Sequence, residues 1–373
     1  MSPETQTAAT APTVRECRDR EEWDALVDRF GGHPLQLWGW GQVKAEHHWR
    51  VERLVVEDPA HDAAGAAAAV GVAQVLYRAL PWPLKSLAYL SRGPACAPED
   101  AGRVLTAVAA TVRAAHGPVA LVAEPDWEEG SAGERALAAS GFRRTDSTIL
   151  IPRTLILDLT QTEDELMAAM SRTTRSNVRK NLKGTLEFRT VATEDELEQV
   201  LSIYRETAAR AGFGIHEDAY YRDIWRYLGA ASPIVAAFDG DTVVAFVWIA
   251  KSAGTAFELY GGVNAAGQKA RANYGVKWAA FTAMKAAGCT RYDLNGLLND
   301  GISDFKKQFA QHEDTLTGTW ELPLSPLYPV YATGMPIARR ALQQGRRAAK
   351  GAVAGARRQL AVVSDKAKRL VRR

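Results

Sequence analysis

Four segments of this chain carry side chains suited to binding anions or stabilising developing negative charge. The first is Leu37-Trp38-Gly39-Trp40-Gly41-Gln42-Val43-Lys44, an aromatic pair with glycine spacers ahead of one lysine. A lysine there suits a phosphate, as a compact cation with several donors. Equally, both tryptophans fit packing between domains, with Lys44 a solvated charge. The second segment, Met170 to Lys183, holds Arg172, Arg175, Arg179, Lys180 and Lys183 and no acid. On a helix Arg172, Arg175 and Arg179 share one face. A single-sign face that cannot pair within its own helix suits a tRNA or a nucleotide diphosphate; a merely solvated face is the other reading. No aromatic residues interleave it, which argues against base stacking.

The third segment is Phe257-Glu258-Leu259-Tyr260-Gly261-Gly262-Val263-Asn264, a strand ending in two glycines that let a ligand lie close to backbone, with Tyr260 equally an ordinary strand aromatic. The fourth is Tyr292-Asp293-Leu294-Asn295-Gly296, followed by Asp304-Phe305-Lys306-Lys307-Gln308-Phe309. Polar residues at strand ends are typical sources of catalytic groups in α/β folds. Lys306 beside Phe305 and Phe309 suits a partly apolar pocket, where a lysine stabilises an oxyanion. An amphipathic helix with both phenylalanines inward and both lysines outward fits the same residues.

The elements that must hold these groups are legible in periodicity. Asp19–Phe30 has helical spacing, and Val51–Val56, Val70–Tyr77 and Leu87–Leu90 read as strands, the first two joined by the Ala/Gly-rich stretch Asp58–Ala69. Glu99–Ala115 is a helix behind Pro98, Val119–Ala123 a strand, Ala132–Ser140 a helix and Ile149–Leu159 an extended closing segment. The second half repeats the order. Helices cover Thr162–Met170, with a Thr162/Glu165 capping box, and Ser171–Lys183, followed by a strand at Leu186–Val191. Helices at Glu194–Ala211 and Asp218–Leu228 precede a hairpin around Asp239-Gly240 and a strand at Thr255–Val263. Helix Ala272–Ala287, strand Thr290–Leu294, helix Ile302–Phe309 and strand Asp314–Leu322 complete the half.

Ala139-Ser140-Gly141 and Ala286-Ala287-Gly288 end a helix alike in each half, with glycine where a C-cap needs positive φ. Two copies of one mixed α/β unit are implied, and the order within each resembles the N-acetyltransferase (GNAT) fold. Such a unit cradles a pyrophosphate on a small-residue turn that opens a helix. The corresponding stretch, Gln268-Lys269-Ala270-Arg271-Ala272-Asn273, has Arg271 and Asn273 where glycines belong, and the first half offers only Arg92-Gly93-Pro94. An acetyl-CoA cradle is therefore expected in neither copy.

The 373 residues, 47% hydrophobic and 24% charged, suit two soluble domains. The polar start Met1–Val14 lacks the apolar core of a secretory signal, and no apolar run reaches ~20 residues, so a cytoplasmic protein is expected. Cys17, Cys96 and Cys289 show no paired spacing and the histidines no ligand spacing, so neither disulfides nor a metal are expected. The net charge of +3 hides an asymmetry. Residues 336–373 hold twelve Lys/Arg against Asp365 alone, which leaves 34 Lys/Arg and 42 Asp/Glu, or −8, in residues 1–335. The tail's small or apolar residues recur every three or four positions, as in a long helix. An acidic body with a basic tail points to a polyanionic partner for the tail.

In this order the four segments resemble the Fem family, tRNA-dependent peptidyltransferases that build peptidoglycan cross-bridges. The resemblance rests on Trp40-Gly41-Gln42-Val43-Lys44, on Thr174-Arg175-Ser176-Asn177-Val178-Arg179-Lys180, on Tyr260-Gly261-Gly262, and on Asp293, Gly296, Phe305 and Lys306, and covers roughly residues 15–330. It implies an α/β (α+β) fold of two GNAT-like mixed-sheet units in tandem. The boundaries are a disordered 1–14, a first unit at 15–158 completed by 314–335, a second at 159–313, and a basic helical tail at 336–373.

The implied activity is transfer of an amino acid from aminoacyl-tRNA to a stem-peptide amine of lipid II or UDP-MurNAc-pentapeptide, without a cofactor and by a monomer. Lys44, with Trp40, would meet the acceptor diphosphate, and Arg210, Tyr260 and Asn273 are implied acceptor contacts. Lys306, with Phe305, would hold the tRNA 3′ end and stabilise the oxyanion, while Asp293 and Asp304 are candidate bases. Arg172, Arg175, Arg179 and Lys180 would meet tRNA or another anion. The long helical arm of some family members has no room between residues 183 and 218. The tail suits attachment to the anionic inner leaflet, a tRNA-binding arm, or disorder. Two rival readings stand: an acyl-CoA-dependent N-acyltransferase, and a non-catalytic RNA- or membrane-binding relative.

Overall fold

The computed structural model describes residues 11–58, 68–298 and 300–334. The first unit runs through β1 (Thr13–Glu16), α1 (Arg20–Arg29), α2 (Trp38–Glu46), β2 (Arg50–Asp58), β3 (Ala68–Ala79), β4 (Ser86–Ser91) and β5 (Ala95–Cys96). It continues with α3 (Ala101–His116), β6 (Ala120–Glu124), α4 (Ala132–Ala139) and β7 (Arg143–Thr145). The chain crosses over on β8 (Arg153–Thr154) to β9 (Ile156–Asp158), α5 (Glu163–Ala169), α6 (Arg172–Leu182), β10 (Glu187–Thr190), α7 (Glu194–Ala211) and α8 (Asp218–Leu228). Then follow β11 (Ile234–Asp239), β12 (Thr242–Lys251), β13 (Thr255–Val263), α9 (Ala265–Ala270), α10 (Ala272–Ala286), β14 (Arg291–Asp293) and α11 (Gly301–Lys306). It returns through β15 (Asp314–Thr315) to β16 (Thr319–Pro323).

The strands form one sheet in the order β1-β2-β3-β4-β6-β16-β7, with β5 on β3, and a second in the order β10-β11-β12-β13-β14-β9. The mixed α/β tandem expected from the sequence is the observed fold. Each sheet has one parallel pair among the described strands: β4 with β6, and β13 with β14. Gly141 and Gly288, just past α4 and α10, have φ of +87° and +88°, the C-cap geometry that a Cβ would oppose.

Three boundaries differ from expectation. Thr13 and Val14 pair with Glu57 and Val56; the exposed backbone donors and acceptors of β2 take up this β-branched stretch, so the stretch 1–14 expected to be disordered includes the start of a strand. Ile156–Asp158 joins the second sheet against Arg291–Asp293, so the units exchange before residue 158. The segment at Trp38–Lys44 is a helix. Residues 59–67, within the expected Asp58–Ala69 loop, and the tail at 336–373 lie outside the described residues. No described helix is long and apolar enough to cross a membrane.

The helix α2 belongs to the first unit by sequence but packs on the second. Leu35, Trp40 and Val43 enter one apolar cluster with Leu197, Leu201, Tyr220, Ile224 and Trp248. The glycines of this segment allow the approach: a Cβ on Gly39 would lie 2.5 Å from the Tyr227 carbonyl oxygen. Arg291 on β14 adds an ion pair across the units to Asp126 after β6. Burial opposes the Asp126 charge, but the facing guanidinium prevails and holds the carboxyl well below its ordinary range.

Candidate functional site

Register and one turn open a cleft in the second sheet. The strands β13 and β14 pair from Thr255↔Arg291 to Phe257↔Asp293 and then part. Asn295, at φ +56°, turns the chain away from the sheet. Its side-chain amide reaches back to donate to the Glu258 carbonyl at 2.9 Å. The register of β13 on β12 shifts between Glu258 and Tyr260, a bulge that re-aims side chains beside the opening. The resulting cleft is about 350 Å³, and Tyr260, Glu258, Lys277, Phe305 and Lys306 are among its walls.

Lys306 ends α11 at the mouth. Its Nζ donates to the Asn295 carbonyl at 2.5 Å and to the Gly296 carbonyl at 3.1 Å. Two of three ammonium donors are thereby used, and one remains for a ligand. Burial, then the neighbouring Lys277 charge, pushes its pKa down to about 8. Phe305 stacks edge-on to Tyr274 and Phe309, with centroids 5.1 and 5.2 Å apart. The phenylalanine–lysine pair thus supplies an apolar wall and a cation together.

A buried ion pair lines the same cleft. Glu258 on β13, 7% exposed, meets Lys277 on α10, 5% exposed. The Tyr292 hydroxyl donates to the Glu258 carboxylate at 2.9 Å. Glu258 is the carboxylate among the described cleft walls. Both residues were missed in the sequence, although each is the lone charge of an otherwise apolar or uncharged run.

Lys44 stands one layer behind. Its Nζ donates to the Tyr220 hydroxyl at 2.7 Å and lies 4.5 Å from the centre of the Trp40 ring. Tyr221 packs edge-on against both Tyr220 and Tyr260, so Lys44 is linked to the cleft wall through the tyrosine group. Burial, with Arg78 nearby, pushes the Lys44 ammonium down to about 8. Tyr204 and Tyr221 complete the aromatic group around Tyr260, with centroids 5.2 and 5.1 Å away.

A polar hollow of about 640 Å³ adjoins the cleft at Asn273, walled by Ser171, Thr173, Gln268, Arg271 and Gln308. Arg271, at φ +55°, opens α10 and donates to Asn177 Oδ1 at 2.9 Å. A side chain and its tether therefore occupy the turn where a pyrophosphate cradle needs small residues. The parallel pair of the first unit is closed differently. Beyond Ser91 and Glu124, the buried Glu124 carboxylate accepts from Tyr89 at 2.5 Å, from Ile149 N at 2.7 Å, from Leu150 N at 3.0 Å and from Thr319 at 2.6 Å. These segments fill the opening that the second unit leaves free.

Of the residues singled out in the sequence, Lys306, Phe305, Tyr260, Arg210 and Asn273 come together at the cleft. Arg210 is exposed at its rim and donates to the Val263 carbonyl at 3.1 Å. Asp293 is buried behind the wall, accepting from Thr154 and from Asn295 N. Burial raises its pKa, and it acts on the site by fixing the Asn295 turn, not as a cleft carboxylate. Asp304 is exposed on α11. The α6 cations also divide: Arg172, Arg179 and Lys180 are exposed, whereas Arg175 folds back onto the carbonyls of Ala168 and Met170. It caps α5, so the expected three-arginine face loses its middle member. Among the described residues no group of three or more His, Cys, Asp or Glu is gathered as for a metal.

A tandem of GNAT-type units, one open at its parallel strand pair and one plugged, defines the structural class. Residues 168–307 match the family model described as an acetyltransferase (GNAT) domain. The chain is 29% identical over 218 residues to the lipid II:glycine glycyltransferase of Staphylococcus aureus, across 55% of this chain and 50% of that protein. It thus spans about half the length of the curated relatives it matches. The crystal structure of FemX superposes with a TM-score of 0.76 at 19% identity, over 85% of this chain and 99% of that one. The structure of L-PGS from Bacillus licheniformis follows at a TM-score of 0.52 and 13% identity, over 87% and 97% of the two chains. The chain is thus similar to Fem proteins in part of its sequence and in its fold, the resemblance that its four segments led us to expect.

Proposed function

We propose that the protein transfers an amino acid from aminoacyl-tRNA to an amine of a peptidoglycan stem-peptide precursor. The observation that carries this reading is the open cleft of the second unit, with a half-buried lysine at its mouth and a side chain in place of the pyrophosphate cradle. The likeness to a lipid II:glycine glycyltransferase supports the acceptor class. In the reaction, the acceptor amine attacks the ester carbonyl carbon, and the remaining donor of Lys306 stabilises the oxyanion. The amine proton passes to Glu258, the ester C–O bond breaks, and the ribose oxygen leaves as a hydroxyl, taking that proton back from Glu258. An ester is already activated, so positioning and electrostatics suffice and no covalent enzyme intermediate is needed.

The donor's acceptor end would enter through the polar hollow at Asn273, along the exposed Arg172, Arg179 and Lys180 of α6. The acceptor would come from the opposite side, past Tyr260 and Lys44. On this reading the enzyme works in the cytoplasm as a monomer, and its basic tail meets a polyanion. Direct binding distinguishes the donor classes. Filter binding with charged tRNA should show an affinity that falls steeply with salt, while calorimetry with acetyl-CoA should show no heat. Acetyl-CoA binding without tRNA binding would move the acyl-CoA reading to the front.

A further inference from the structure

The loop joining β3 to β4 is Leu80-Pro81-Trp82-Pro83-Leu84-Lys85. It is ordered by hydrogen bonds from Leu80 N to the Lys85 carbonyl at 2.9 Å and from Leu84 N to the Pro81 carbonyl at 3.0 Å. Leu80 and Leu84 anchor its base in an apolar cluster with Leu76, Leu87 and Tyr331. Trp82 stands at the tip, 93% exposed. A single exposed apolar residue is ordinary; the surroundings of this one are not. Arg78, Lys85, Arg50 and Arg113 are all exposed nearby, and residues 78–86 and 325–334 contain no acid. Glu321, the carboxylate beside Tyr328, is buried and accepts from its hydroxyl at 2.7 Å.

Two further observations converge on this end of the first unit. Tyr331, three residues before the last described residue, packs in the cluster beneath the loop. The twelve Lys/Arg of residues 336–373 therefore follow directly from this face. Arg78 lies over the Trp49 ring, just past the end of α2, and its charge is felt at Lys44, so the face borders the side of the cleft assigned above to the acceptor.

We propose that this face rests on an anionic lipid bilayer, with Trp82 in the headgroup region and the flanking cations against lipid phosphates. An indole is amphipathic and favours that interface, and lysine and arginine near it are drawn by the anionic surface potential. Resting on the transfer reading, the acceptor is then lipid-linked, its diphosphate entering from the bilayer side past Lys44. The lipid contact itself stands on the face alone.

The test is co-sedimentation of the full chain with phosphatidylcholine vesicles containing about one third phosphatidylglycerol. Full-length protein should bind, and Trp82→Ala should bind about fivefold more weakly. In about 0.5 M salt, which screens the tail, the wild type should keep part of its binding and Trp82→Ala should lose it. The R78E/K85E variant should bind more weakly at low salt. Equal binding by Trp82→Ala and wild type at both salts overturns the proposal, as does a wild type that stays in the supernatant. A Trp82→Ala effect on self-association in sedimentation, with vesicle binding unchanged, overturns it too. If vesicle binding behaves as expected but no amino acid is transferred, only the lipid-linked acceptor falls.

Discussion

Glu258 and Lys277 place a buried ion pair in the wall of the site. Each charge gives up water, and the pair recovers that cost only through mutual attraction and the Tyr292 hydroxyl. Removing one partner strands the other, so Lys277→Met should lower unfolding stability by about 3–5 kcal/mol. The double change Glu258→Gln/Lys277→Met should recover most of that in urea denaturation while transfer stays down by about 10²-fold or more. Recovery of both would reduce the pair to a structural device. This pair was invisible in the sequence because residue type carries no depth: Glu258 reads as one polar position in a strand and Lys277 as one basic position in a helix. For the same reason the sequence could not distinguish Asp293 from Asp304, one buried behind the wall and the other facing solvent. Lys306, Phe305 and Tyr260 were singled out through the family resemblance of the Phe-Lys and Tyr-Gly-Gly motifs, since residue type alone left each evenly balanced against an ordinary packing or surface role.

Between elements, what matters is how closely they approach. The short α2 wedges between units because Gly39 lets its backbone meet that of α8 at Tyr227. Lys44 is aimed at Tyr220 by that contact. Gly39→Ala should therefore cost about 1–3 kcal/mol by forcing the helices apart. It should also weaken acceptor binding more than donor binding, measured as separate Michaelis constants; an equal effect on both would detach α2 from the acceptor side. The repeat of helix, turn glycine and strand was readable in Gly141 and Gly288. The difference between the copies was not. Whether a parallel pair stays open or is plugged depends on where Glu124 finds the amides of Ile149 and Leu150, contacts between distant parts of the chain. Arg175 shows the limit of helical spacing: a shared face does not exclude a fold back onto a preceding carbonyl.

The molecule as a whole is two units that cannot be separated by a single cut. The strand β9 enters the second sheet, β16 returns to the first between β6 and β7, and β8 with β15 joins the two crossings. The sequence implied two similar units and the family resemblance a late return, but the exchange was placed only approximately, since a three-residue strand has no periodicity of its own. On the proposed reading, the open cleft and the polar hollow beside it would receive the two large substrates from different sides. The most direct test charges a pool of tRNAs with labelled amino acids and offers them with lipid II and, separately, with UDP-MurNAc-pentapeptide. Wild-type protein should label one of these acceptors and Lys306→Ala neither, with the variant shown to be folded. Undiminished labelling by Lys306→Ala, or no labelling by folded wild type with either acceptor, would contradict the account.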